Sequence, residues 1–536
     1  MRPERPAPPG DGQSYGDPAV RALLAEAHPA AREVPRARQV FVNRNLRMDR
    51  IEAVGFDMDY TLAIYRLGPV EELAFDLTRD RMVQRLGYPA SLGGMAYDAG
   101  FVIRGLVMDK QTGNLFKMDR HNYVGRCFHG TRPLPPGEVR RLYRDEKIHL
   151  SQPRFAWLDT IFSLPEACLF AGAIDRMEAA GLAVDYGKLY DDIRTTIDGV
   201  HADGSLKAVV RADLDRFLVR DPELGPALHR LRSGGKKLFV LTNSAWDYTD
   251  AVMRHVLDGL LPEYPSWRNY FDFVVTFARK PSFFSERGAI EELSSEGLVV
   301  GEADALERGR IYQGGSLAEL ERLAGVGGER VLYVGDHIYG DILRSRRDSL
   351  WRTCMVVEEL ERELTWLEAN HAPLEEMGRL EEVRARLADE LSARRSFLNT
   401  VERRLDREAP SGPEKLGLET DRRKAKAELE LLRRAHRDAD ARIAALEGEV
   451  EGGFNSHWGL TFKEAHENSR FGEQIEDYAC VYTSRVSNFL FYSPMEYFRS
   501  TRAVMPHERI GVPLAPYGDQ HALPRAGARP SKAPKP

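Results

Sequence analysis

The chain holds 536 residues with a formal net charge of −6, 43% hydrophobic and 29% charged side chains. That length exceeds one compact core, which closes at about 100–200 residues, so two or three domains are expected. The charge balance gives no basic footprint for a nucleic-acid polymer, and no run of about 18 apolar residues offers a membrane span.

Four cysteines, Cys127, Cys168, Cys354 and Cys480, are widely scattered. None forms a CxxC pair or a zinc spacing, so a reducing, cytoplasmic setting is expected. The N-terminus, MRPERPAPPGDGQ, lacks the apolar core of a signal peptide. Residues 1–36 are rich in Pro, Arg and Ala and are expected to be disordered, with a short helix near 19–27. The Pro-rich, basic tail from 518 to 536 reads the same way.

Between these ends the chain alternates strands and helices, the pattern of an α/β core with a parallel sheet. Three short apolar runs end in polar residues: Ala53–Phe56 before Asp57, Lys237–Leu241 before Thr242 and Asn243, and 331–334 before Gly335 and Asp336. In an open α/β sheet, ligands bind beyond the carboxyl ends of the strands, so these three can converge on one site. Roughly 180 residues separate the first two runs, far more than one crossover requires, which points to an inserted domain. The insert carries a hairpin (101–108 and 115–119) and helices near 165–181 and 186–200. The expected division is 37–119 and 231–357 for the two parts of the core and 120–230 for the insert. A helical, coiled-coil-like hairpin follows at 358–452, and 453–517 returns to the core.

In the hairpin, Leu429, Leu432, His436, Ala439, Ile443, Leu446 and Val450 alternate steps of three and four, a heptad seam. An earlier helix carries Leu380, Val383, Leu387 and Leu391, and prolines and glycines at 409–417 mark the turn. The seam serves an oligomer contact, an arm for a partner in an interaction protein, or simply the hairpin's own packing. With the aromatic segment 489–498, it underlies an expectation of a homodimer or homotetramer.

The strongest chemical signal is GFDMDYTL at 55–62. Asp57 and Asp59 stand two residues apart just after a strand. A carboxylate attacks an anionic phosphoryl group only where that charge is offset, usually by a metal. A second acid can protonate the leaving oxygen and later activate water. Thr242 supplies a hydroxyl at a strand end, or merely caps a helix. Lys280, in ARKP, can neutralise phosphate charge and hold the nucleophile. In GDHIYGD at 335–341, Asp336 is placed to ligate Mg2+ and Asp341 to orient waters or Lys280.

DxDxT, then Thr, Lys and GDxxxxD in that order resembles the haloacid dehalogenase superfamily. VFVNR at 40–44, VGFDMDYTLAIY at 54–65, ARKPSFF at 278–284, GDHIYGDIL at 335–343 and the segment 489–508 resemble the cytosolic purine 5′-nucleotidase family, whose animal members prefer IMP and GMP. The resemblance implies a Rossmann-like, parallel-sheet haloacid dehalogenase core with a large inserted cap domain. It implies Asp57 as nucleophile, Asp59 as general acid and base with its backbone carbonyl on Mg2+, and Asp57, Asp336 and Asp341 at the metal. Thr242, Asn243 and Lys280 would bind the phosphoryl group of a nucleoside 5′-monophosphate. Phe162 would stack on the base, with Arg194, Asp198, His201 and Lys207 around the nucleotide. Arg194 and Asp198 also have the spacing of a surface ion pair on one helix face. Two positions depart from the family pattern: Ser163 where Asn is common, and Ala202 where a larger side chain follows the pocket histidine.

Overall fold

A computed structural model describes residues 34–146, 148–343, 349–408 and 410–501. The expected helix at 19–27 and the tail from 518 lie outside the described residues.

The large sheet has ten strands. In chain order they are β1 (Phe41–Val42), β2 (Ala53–Phe56), β3 (Lys237–Leu241), β4 (Phe273–Thr276), β5 (Ile290–Leu293), β6 (Val299–Glu302), β7 (Ile311–Gly314), β8 (Val331–Gly335), β9 (Arg352–Val356) and β10 (Val481–Thr483). Their spatial order is β1-β10-β9-β8-β2-β3-β4-β7-β5-β6. From β10 through β7 the neighbours run parallel, and only the two edges are antiparallel. The chain is thus α/β around a mixed, mostly parallel sheet. Its central strands are covered on both faces, and so they read as unbroken apolar runs rather than alternating ones. All four residues of β2 are buried. Gly55 pairs with Phe239 on β3. A Cβ at Gly55 would stand 2.2 Å from that ring, so only glycine lets these strands close.

The insert between β2 and β3 builds a separate five-stranded antiparallel sheet. Its central strands are Leu106–Asp109, Asn114–Met118 and Val124–His129. The boundary expected at 119/120 therefore falls between two paired strands, and the insert's sheet begins at Leu106. The hairpin's first strand is shorter than expected because Gly105 adopts a left-handed φ of 87° that interrupts extended backbone.

Helices α1 (Pro69–Leu86), α2 (Leu164–Ala179), α3 (Tyr186–Ala202) and α4 (Ser205–Ala212) pack together above the carboxyl ends of the central strands. On α3, Leu189, Ile193, Ile197 and Val200 form the buried stripe, and Asp185 caps the helix by accepting from the Lys188 N–H. Helix α5 (Trp246–Leu257) follows β3.

Helices α6 (Glu359–Ala369), α7 (His371–Arg407) and α8 (Gly412–Phe454) make the hairpin. Leu429, Ala439, Ile443, Leu446 and Val450 are buried, with Leu432 and His436 half-buried. They face α7, whose Leu380, Val383, Leu387 and Leu391 are half-buried. The seam thus closes within one chain. The turn is shorter than 409–417, because α8 starts at Gly412 with a proline in its first turn, where no N–H is needed. In the aromatic segment, Phe489 and Phe498 are buried against each other, and Tyr492 accepts from the Val40 N–H. Helix α9 (Arg470–Tyr478) then leads into β10. No helix of the described residues is long and apolar enough to cross a membrane. All four cysteines are buried, free thiols.

Candidate active site

β8, β2, β3 and β4 are neighbours in the sheet, and each delivers a polar residue at or beyond its carboxyl end. β2 delivers Asp57, β3 Thr242 and Asn243, β8 Asp336, and the loop after β4 Lys280. These residues floor a cavity of about 390 Å³ whose walls include Phe162, Arg194, Asp198, His201 and Lys207. Every site residue expected from the sequence, Asp59 and Asp341 among them, lines this one cavity.

At the floor, Lys280 Nζ lies 3.0 Å from Asp57 Oδ1 and 2.7 Å from Asp341 Oδ1, and donates to Tyr333 Oη at 2.9 Å. Burial works against the ammonium, but the Asp341 and Asp57 carboxylates outweigh it and hold its pKa well above the ordinary value. Asp57 Oδ1 also accepts from the Met58 N–H at 2.7 Å. Burial pushes Asp57 up to about 7, against Lys280 and with the help of Asp341 and Asp59. Burial, with the charges of Asp341 and Asp57, raises Asp336 well above the carboxylate range.

Oxygens of Asp57, Asp336 and Asp341 lie within 4.8 Å of one another. Asp336 Oδ2 is buried without a hydrogen-bond partner. Three crowded carboxylates beside one ammonium leave negative charge that a hard, oxygen-seeking cation would offset. The carboxylate of Asp59 lies outside this cluster and accepts instead from Tyr65 and Ser244.

The loops are shaped for these contacts. A Cβ at Gly335 would sit 2.6 Å from Asp341, and one at Gly340 2.6 Å from His337 Nδ1. Asn243 pins Lys280, accepting from its backbone N–H at 2.6 Å and donating to its carbonyl at 2.9 Å. One N–H of its side-chain amide is thereby spent on the Lys280 carbonyl, which leaves the second N–H for a ligand. Thr242 accepts from the Ser244 N–H, which leaves its own hydroxyl hydrogen for a ligand. Fully buried Arg104 donates to the Asp336 carbonyl at 3.1 Å and pairs with Glu359 at the start of α6.

At the far end, Arg194 pairs with Asp198 through two hydrogen bonds, and also with buried Glu166 at 2.8 Å. The Arg194–Asp198 ion pair thus lies at the wall of the cavity. His201 meets Phe162 edge-on at 5.6 Å between ring centroids. Burial and the nearby Lys207 charge depress His201 to about 4, so it is neutral at physiological pH, and its buried Nε2 has no partner. Tyr65, Tyr248, Ser244, Glu166, Tyr333 and the His337–Asp159 pair escaped the sequence reading. Ser244 directly follows Thr242-Asn243 and was within its reach. The tyrosines carry no sequence signal distinct from core aromatics.

The model of the 5′ nucleotidase family matches residues 40–510. The chain belongs to the 5′ nucleotidase family. Membership makes it a phosphoric monoester hydrolase. It is 30% identical over 476 residues to a 5′-nucleotidase domain-containing protein of Dictyostelium discoideum, covering 88% of this chain and 74% of that protein. It is 34% identical over 372 residues to 5′-nucleotidase domain-containing protein 2 of Rattus norvegicus and of Homo sapiens. Those matches cover 65% of this chain, 66% of the rat protein and 70% of the human one.

Proposed function

We propose that this family member is a magnesium-dependent 5′-nucleotidase that converts a nucleoside 5′-monophosphate and water to nucleoside and phosphate through an aspartyl phosphate on Asp57. The observation that carries the reading is a single cavity with a carboxylate-and-lysine floor and an aromatic, partly cationic far wall. In the first step Asp57 Oδ2, which takes neither of the bonds made by Oδ1, attacks phosphorus. The P–O bond to the nucleoside breaks, and the proton of Asp59 goes to the leaving oxygen. In the second step water attacks phosphorus, its proton passes to Asp59, and the Asp57–phosphorus bond breaks. Lys280 and the Thr242 hydroxyl face the phosphoryl oxygens, and Asn243 holds Lys280 in place. A nucleoside hydroxyl in place of water would give phosphotransfer from the same intermediate.

The orphaned, buried Asp336 Oδ2 and the all-carboxylate cluster fit Mg2+, which Asp57, Asp336 and the Asp59 carbonyl would hold, with Asp341 in support. When bound, the ion offsets the phosphoryl group's negative charge. Phe162, with neutral His201 at its edge, suits the flat face of a base, and Arg194 and Lys207 suit polar groups beside it. A purine of the IMP or GMP kind is the proposed occupant. Assembly into a homodimer or homotetramer is a further proposal, which light scattering measures.

The second reading is a different small phosphomonoester, favoured by Ser163 and Ala202, which present less side chain near the base than the family pattern does. A phosphate-release screen across purine and pyrimidine monophosphates and sugar phosphates, with and without Mg2+, separates the two. Higher turnover of sugar phosphates than of every nucleotide would replace the nucleotidase reading. Asp57→Asn is expected to cost at least about 1,000-fold in phosphate release, and an unchanged rate would end the mechanism. Calorimetric titration should show Mg2+ binding that Asp336→Asn abolishes.

A further inference from the structure

Asp59 is gripped from two sides. The Tyr65 hydroxyl donates to Oδ1 at 2.6 Å, and Ser244 Oγ donates to Oδ2 at 2.7 Å. Tyr65 Oη is also 2.9 Å from Tyr248 Oη, and both tyrosines are buried.

The anchors of this pair are informative. Tyr65 lies in the short strand Ile64–Tyr65, which pairs antiparallel with Leu218–Val219. Those two segments are where the insert leaves the core and where it returns. Tyr248 lies in the first turn of α5, just beyond the end of β3. The hydroxyl pair therefore ties Asp59 to the insert's stem on one side and to the core on the other. Lys207, on the insert's α4, reaches the same cluster, with Nζ 3.4 Å from Ser244 Oγ and 5.1 Å from the Tyr248 ring centre. Asp59 itself sits on a tight turn, beside Tyr60 at a left-handed φ of 54°.

A general acid must be held within a fraction of an ångström of its productive geometry, and a carboxylate on a short turn has free side-chain torsions. A hydroxyl both donates and accepts, so a tyrosine can keep contact with Asp59 whether or not that carboxyl carries a proton. We propose that the Tyr65–Tyr248 hydroxyl pair is the positioning device that aims Asp59 at the leaving oxygen. This rests on the proposed role of Asp59. Neither tyrosine touches the reacting atoms in that scheme; they act through Asp59.

The test uses Tyr65→Phe and Tyr248→Phe in the full chain, with Asp59→Asn as the reference and thermal melting to verify folding. Rapid-mix kinetics compare a nucleoside 5′-monophosphate, whose alkoxide needs a proton to leave, with p-nitrophenyl phosphate, whose phenolate leaves without one. Tyr65→Phe should slow nucleoside release by about 10- to 100-fold, with KM and the first-turnover release of p-nitrophenolate within about twofold. Tyr248→Phe should shift in the same sense by less, and it carries the test if Tyr65→Phe does not fold. Equal losses on both substrates, or no loss on either, would overturn the proposal and leave only core hydrogen bonds. If Asp59→Asn shows the leaving-group pattern while both tyrosine variants match the wild type, this inference alone fails. If the wild type releases phosphate from no monoester, the functional reading falls and takes this inference with it.

Discussion

The floor of the active site and the helical hairpin are both dense in charge, yet they use it in opposite ways. In the hairpin, ion pairs such as Arg442–Glu376 and Arg404–Glu414 lie half in solvent, and the fold rests on the apolar seam between α7 and α8. Exposed pairs of that kind gain little, because water and salt screen them. At the site, Asp336, Asp341 and Lys280 are buried and Asp57 is nearly so, and three carboxylates share one ammonium. Charge removed from water is costly unless something compensates it. The hairpin's charges therefore keep long helices solvated, whereas those at the sheet end store an excess of negative charge that a cation can relieve.

The sharpest way to test that contrast is Lys280→Met. It leaves Asp57 and Asp341 facing each other without a cation. Phosphate release should fall by about 100-fold or more. Urea unfolding of the metal-free protein should show a loss of about 3–5 kcal/mol, the cost of orphaning buried charge. An unchanged unfolding midpoint would put the buried and exposed charges on the same footing.

Ile443→Ala, in the buried seam of α8, should cost about 2–5 kcal/mol through lost burial and a cavity. Hydrogen exchange should show the loss concentrated in the hairpin, with phosphate release unchanged. A parallel fall in turnover would show that the two regions are not energetically separate.

Glu358 sits where the hairpin joins the core, and its Oε2 is buried without a partner. Burial, then the neighbouring Glu359 charge, pushes it from 4.5 up to about 8. The folded state thus binds the proton more tightly than the unfolded chain. The stabilisation this gives is complete below 4.5 and is lost as pH rises through about 8. Glu358→Gln should match the wild type in Tm at low pH and exceed it by about a few degrees above pH 8. Parallel melting curves at all pH values would show that the carboxyl is effectively solvated.

Arg442→Ala is the smallest change. It removes an exposed pair with Glu376 and should leave both Tm and turnover unaltered. A clear drop in Tm would mean that the hairpin's surface charges do structural work after all.

Much of the site is legible in the sequence. Asp57, Thr242 and Asp336 each follow an apolar run, because parallel strands covered on both faces must be apolar and their polar neighbours must stand at the ends. Lys280 gained meaning only through its order in the chain, since a lone lysine ordinarily marks surface. The residues around Asp59 show the limit. Tyr65 and Tyr248 lie 183 positions apart, and each reads as one more buried aromatic. The division at 119/120 parts two paired strands for a related reason: hydrophobic pattern identifies strands without marking where a sheet begins and ends.

The sequence by itself determined the strand ends, the acidic and basic groups at them and the two long helices with their seam. Those follow from local rules of alternation, periodicity and turn chemistry. Only the tertiary structure decided that β8, β2, β3 and β4 lie side by side, that the seam closes on its own chain, and that Asp59 is gripped by hydroxyls rather than joined to the carboxylate cluster. Such facts depend on contacts between residues far apart in the chain. Burial then sets the energy of each charge, and no local pattern encodes how deeply a charged side chain is buried.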